Sequence, residues 1–177
     1  MAQLTPAQFS AQLRKQADQL ADGKALQIAA QTVHAMRVER IFDKGIDGAK
    51  YSDRSPIYIS AKNSRSSVSG KFKDYGAFKS AIGFDGSKVN LRVTNDLQSD
   101  FANSNTNSGT GNADSGKVIK VSNDLFVEEL RSEKNVDKWN GNIERFGDFG
   151  EFTTEEKETF DRVLLLELTA ILRGERK

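Results

Sequence analysis

Phe9, Leu13, Ala17 and Leu20 recur at spacings of four and three, which marks one narrow apolar stripe along a helix. Thr5 stands before the run as a cap, and Pro6 suits a first helical turn. A helix is therefore predicted over 5–21, broken by Ala21-Asp22-Gly23. A second helix is predicted over 24–44, with Leu26, Ala30, Val33 and Ile41 near one face and Gly45 as its C-terminal cap. Near the other end, Phe160, Val163, Leu164, Leu168 and Ile171 predict the buried face of a last helix. Thr153 and Glu156 make a capping box at its start, and acidic residues fill its first turn. Arg173, Arg176 and Lys177 sit at its end, where the helix dipole favours cations.

The middle of the chain changes period. Val89, Leu91 and Val93 alternate with polar residues and predict a half-buried strand over 88–95. A second strand is predicted over 117–123. The two end alike, Val93-Thr94-Asn95-Asp96-Leu97 and Val121-Ser122-Asn123-Asp124-Leu125, a local echo and not a repeat architecture. Between them, "SNTNSGTGNADSG" (104–116) has almost nothing to bury and cannot offset its own ordering entropy. The simplest geometry is an antiparallel pair joined by a long flexible hairpin arm, 101–116, rich in Gly, Ser and Asn. Residues 51–73 form an irregular basic loop holding a short edge strand after Pro56. "DYGAFKSAIGF" (74–84) predicts one short helical turn carrying Phe78 and Ile82. Residues 125–139 fit helix or strand, and 140–152 are turn-rich. The predicted fold is α+β: a single domain over 1–177, with an antiparallel β-sheet packed against two N-terminal helices and one C-terminal helix.

Composition narrows the chemistry. Hydrophobic residues are 37% of the 177, a lean supply for a core. The net charge of +1 gives no global field toward nucleic acid or membrane. There is no Cys, so disulfides, thiolate metal sites and thiol nucleophiles are excluded, and the single His34 excludes a His-pair metal motif. The start of the chain lacks a secretory apolar segment, and no apolar run approaches the ~18 residues of a membrane span; a soluble protein used without export is expected. "DKGIDGAKYSDR" (43–54) has the outline of a calcium loop, but its third position is Gly45 and its twelfth is Arg54. The twelfth should be a bidentate Glu, so calcium fails. His34, inside a helix, reads as structural. Glu128, Glu129, Glu151 and Glu155 could be imagined as a carboxylate pair, but a solvated face explains them, and no nucleophile, phosphate-loop or zinc motif is present. No enzyme, metal or cofactor is expected.

The charge is unevenly spread. Residues 54–79 hold six cations (Arg54, Lys62, Arg65, Lys71, Lys73, Lys79) against Asp74 alone, while 124–161 hold twelve anions against five cations. Oppositely charged surfaces on a neutral chain suit head-to-tail contact between copies. The expected interface residues are Arg54, Lys62, Arg65, Lys71 and Lys73 in the basic loop, Asn105, Asn107 and Asn112 in the arm, and Glu128 and Glu129. The alternative is a nucleic-acid-binding module, with those cations on phosphates and Tyr58, Phe72 and Tyr75 stacking on bases.

The order of several weak motifs resembles one family. A helix ends at Phe42, then come Gly45, Asp47-Gly48 and Tyr51. After the basic loop stands Tyr75-Gly76-Ala77-Phe78-Lys79-Ser80-Ala81-Ile82. Late in the chain come Gly141, Arg145 and Phe152-Thr153-Thr154-Glu155. Over 25–172 this resembles the phage virion morphogenesis, or tail completion, proteins of the Mu-like kind. Tyr75 stands in place of a Thr, Ala81 is inserted, and 104–116 has no counterpart. The resemblance implies a structural virion protein of the neck or tail end, acting in tail completion, tail termination or head–tail joining. It implies a homo-oligomeric ring, hexameric or dodecameric, assembled in the host cytoplasm. The implied neighbours are portal, connector or tail-tube proteins, with non-specific contact to packaged DNA and none with a membrane.

Overall fold

The computed structural model describes residues 5–47, 49, 51, 57–59, 68–91, 96–102, 117–122, 125–130 and 132–175; for 57–59, 117–120 and 126–129 this is the backbone alone. The elements in chain order are α1 (Pro6–Ala21), α2 (Lys24–Val38) with a π-helical continuation (Glu39–Lys44), β1 (Ile57–Ile59), β2 (Gly70–Phe72), α3 (Tyr75–Ala81), α4 (Asp96–Ala102), β3 (Lys117–Ser122), β4 (Leu125–Glu129), α5 (Glu133–Phe146) and α6 (Thr154–Leu172). The chain divides into two compact units. One comprises Met1–Arg37, Asp100–Ser132 and Phe152–Lys177; the other comprises Val38–Ser99 and Glu133–Glu151.

The expected α+β sheet is not formed: the protein is mostly helical. The described strands make two separate antiparallel pairs, β1 with β2 and β3 with β4. Three findings account for the correction. First, Val89 and Asn90 are adjacent and both buried, whereas a strand with one buried face alternates. Residues 88–91 run as irregular chain, with the Val89 carbonyl accepting from Ile46 N–H at 2.8 Å, and 92–95 of the predicted strand lie outside the described residues. Second, Asp96–Ala102 is helical, so the predicted echo of the two strand ends does not hold. Third, β3 pairs with β4, from Lys117↔Glu129 to Ser122↔Leu125 with an irregularity after Lys120. Among the described residues its partner is the segment that follows it. Residues 125–139, which fitted helix or strand, are both in succession: β4, then α5. That helix also absorbs much of the predicted turn-rich stretch. Of the predicted arm, 101–102 belong to α4, and 103–116 lie outside the described residues.

The predicted helix ends are where the local chemistry puts them. Thr5 Oγ1 accepts from Gln8 N–H, and the Gln8 amide oxygen accepts from Thr5 N–H, a full capping box with Pro6 in the first turn. Thr153 and Glu156 repeat the device on α6. Asp74 caps α3 through Ala77 N–H at 2.8 Å. Gly45 stops the second helix at φ +91°, and a Cβ there would crowd the Val89 carbonyl at 3.3 Å. The π-helical turn falls where two successive apolar residues, Ile41 and Phe42, are both buried.

Each unit has its own small core. In the first, Ala25, Ala29 and Val33 of α2 are buried, as are Phe101 of α4 and Ile171 of α6. In the second, Ile41, Phe42, Phe78, Val89, Leu97 and Phe149 are buried. Arg40 crosses to the Phe149 and Glu151 carbonyls (3.0 and 3.1 Å), and Trp139 packs edge-on against Phe149. The tightest approach is between Gly76 of α3 and Gly86 of the following turn. A Cβ on Gly86 would overlap the Gly76 carbonyl and the Ser80 hydroxyl, and backbone cannot give way as a flexible side chain would. Gly86→Ala is therefore expected to lower stability by about 1–3 kcal/mol, read as a shift in the urea midpoint. Gly141→Ala has open space around the new methyl and is expected to leave that midpoint nearly unchanged.

Candidate functional site

The most unusual polar group lies in the second unit. Lys79, on α3, has 0% exposure. Its Nζ donates to Asn90 O (3.2 Å), to Asn90 Oδ1 and to Tyr51 OH (3.3 Å), and it lies 5.5 Å from the Tyr51 ring centre. Tyr51 OH in turn donates to Asn90 O at 3.1 Å. Burial draws the Lys79 pKa down to about 8, opposed by the negative charge of Asp85. Burial, then Tyr75 and Asp85, raise that of Tyr51, so it stays a phenol. A lysine of lowered pKa beside a tyrosine is the kind of pair that can move protons. Here three acceptors take the three ammonium donors, and the whole side chain is closed to solvent. The geometry makes Lys79 a tie between α3, the Tyr51 turn and the irregular 88–91 chain.

A second buried cluster lies in the first unit. His34 and Arg37, one turn apart on α2, are both buried. The His34 ring meets Phe101 at 4.9 Å; the Arg37 guanidinium lies 4.4 Å from the Phe152 ring centre and 5.6 Å from that of Phe101. Burial pushes the His34 pKa down to about 4; a hydrogen bond with the Phe101 backbone pulls the other way, and the Arg37 cation adds a smaller lowering. His34 is a neutral core residue at ordinary pH. Among the described residues, no group of three or more His, Asp or Glu is placed to hold a metal ion. No helix there is long and apolar enough to cross a membrane.

Of the residues nominated from the sequence, Lys71 and Lys73 are exposed, on β2 and just after it. Glu128 and Glu129 lie on β4, in register with Val118 and Lys117. Arg54, Lys62, Arg65, Asn105, Asn107 and Asn112 lie outside the described residues. Two of the three aromatic residues considered for base stacking are engaged internally. Phe72 packs on Phe78 at 5.4 Å, and Tyr75 packs on Tyr51 and Phe78 at 5.5 and 5.7 Å.

Sequence reasoning placed the α1 stripe against a sheet, and the structure leaves it bare. Phe9, Leu13, Ala17 and Leu20 are all exposed, and Gln16 is the residue that α1 buries. Gln16 Nε2 donates to the Leu172 carbonyl at the end of α6 (2.9 Å). On α6 the predicted inward face is correct, with Ile171 fully buried and Phe160, Val163, Leu164 and Leu168 half-buried. Three further leucines, 165, 166 and 172, point outward. The run Val163-Leu164-Leu165-Leu166 exceeds what one face can bury, and that surplus was the legible signal. Compared with protein-family models, curated proteins and solved structures, the chain matches none.

Two outcomes follow from the buried groups. Lys79→Met leaves Asn90 Oδ1 without its donor, while Asn90 O keeps Tyr51 OH, and is expected to cost about 1–3 kcal/mol of stability. In chemical denaturation, adding Asn90→Leu should recover part of the loss. His34 takes up a proton near pH 6.5 when unfolded and only near about 4 when folded. The unfolded state therefore binds more protons between those values. The stability is fully present above pH 6.5 and falls as pH drops toward 4, by about 3 kcal/mol in all. His34→Phe should flatten that slope in the stretch just below pH 6.5, before the carboxylates titrate.

Proposed function

We propose that this protein is a structural assembly subunit that works by binding copies of itself and neighbouring proteins, without covalent chemistry. In the particular role that the resemblance implies, it is a component of the phage neck or tail end, built as a homo-oligomeric ring. The observation that carries this reading is the uncovered apolar surface of α1 and α6, in a chain that has few hydrophobic residues to spare. Large apolar side chains gathered on the surface mark an interaction site. The buried polar clusters support the same reading, because their donors and charges are turned inward and serve the fold. The support is independent of the sheet that the resemblance implied. The alternative, a nucleic-acid module, keeps exposed Lys71, Lys73 and part of the Tyr75 ring, but loses Phe72 as a free stacking platform.

Light scattering behind a sizing column, over a concentration series, tests the proposal. The expected outcome is growth from monomer to one discrete oligomer, little affected by moderate salt because apolar contact drives it. A strict monomer at the highest concentration, with DNA binding that weakens steeply as salt rises, would favour the nucleic-acid reading instead.

A further inference from the structure

In the first unit, α1 meets α6 through its glutamine side. Gln12, Gln16 and Gln19 fall at i, i+4 and i+7 and so share a face. Gln16 bonds the Leu172 carbonyl, and the Gln12 amide lies beside Gly174, where an added Cβ would approach it to 3.3 Å. The neighbouring face of α1 carries Phe9, Leu13 and Leu20, exposed by 53, 49 and 41%. On α6, Leu165, Leu166 and Leu172 are exposed by 66, 64 and 63%. A helix that spends its polar side on the internal contact and leaves its apolar side to water is arranged for a second contact.

We infer that the second contact is with another copy of this chain, the α1 stripe of one molecule seating on the α6 leucines of the next. This names the surface used by the assembly proposed above and rests on that reading. Two observations select a copy over other occupants. The first is charge. Arg14 flanks Leu13 on α1, while Glu158 and Asp161 share the face of α6 that carries Leu165 and Leu172, at i, i+3, i+7 and i+14. All three are exposed and make no ion pair among the described residues. Asp18, one turn on from Arg14, and Arg162, one turn before Leu165 and Leu166, are also exposed, so Arg14 with Glu158 and Asp161 offers one specific pairing across the contact and no net charge on either patch. Charges of both signs border the leucines, whereas an anionic lipid surface calls for a basic polar face. The second is area. The six side chains expose on the order of 500 Å² of apolar surface, the size of the largest patch a monomer usually shows. One α1-on-α6 contact buries roughly 500 Å² in all, and two copies that make it twice across a two-fold axis bury roughly 1,000 Å², the lower bound for a specific interface. Because the patches are unlike, a single contact is heterologous; reciprocated across a two-fold axis it reaches that bound, while a ring needs further surface at each interface.

The absence of cysteine makes the test clean. A tagged Leu13→Cys chain is mixed with an untagged Leu165→Cys chain and oxidised, each thiol being the only one in its molecule. The mixed disulfide is expected to form several-fold faster than either self-crosslinked product. Leu13→Asp should shift the midpoint of self-association about ten-fold or more toward higher concentration, with an unchanged circular dichroism spectrum. Arg14→Glu should weaken assembly, and Asp161→Arg in the same chain should restore it. If the unmodified protein assembles but the mixed disulfide does not form, this surface is wrong while self-assembly stands. A strict monomer at every concentration would overturn both. Binding to phosphatidylserine vesicles without self-association would assign the face to a membrane and overturn the inference.

Discussion

Lys79 has no solvent-exposed surface, and the segments around it in the second unit are shaped to make that tolerable. Burying an ammonium costs several kcal/mol unless its donors are met. Here the donors reach one phenol and both oxygens of one asparagine. That requirement fixes Tyr51 beside Asn90 and holds 88–91 in an irregular path with both Val89 and Asn90 turned inward. It also sets the depth of α3, whose Gly76 must pass against Gly86 with no room for a methyl group. The Asp74 cap, the Gly45 stop and the Ile46–Val89 hydrogen bond then follow as the ends of segments whose middles are already tied.

The first unit meets the same shortage of apolar residues in another way. It buries His34 and Arg37 of α2 among the rings of Phe101 and Phe152 and keeps the histidine neutral. It joins α1 to α6 by a glutamine amide. Six large apolar residues not used in that packing stand on the outer faces of α1 and α6, and Val121 and Leu125 are exposed as well. A fold that spends polar groups inside and leaves leucines outside keeps hydrophobic energy available for the association proposed. This is the physical content of the assembly reading.

Both capping boxes, the Asp74 cap, the Gly45 stop and the strand after Pro56 were legible in the sequence, because each is decided within a few residues by hydrogen bonds or by permitted φ. Chemistry excluded on residue type, such as thiolates and the calcium loop, was legible for the same local reason. Three things were not. The alternation of Val89, Leu91 and Val93 resembled a strand, but a buried lysine claimed Asn90 from the opposite face. The partner of β3 depended on whether 125–129 continued as helix or turned back as strand, a choice that long-range pairing settles and propensity does not. The stripe of α1 announced an amphipathic helix correctly; which side of it the chain would bury was set by the end of α6, 156 residues away from Gln16. The sequence by itself determined where helices begin and end. Only the tertiary structure decided which faces they hide, because that depends on what the rest of the chain brings to each face.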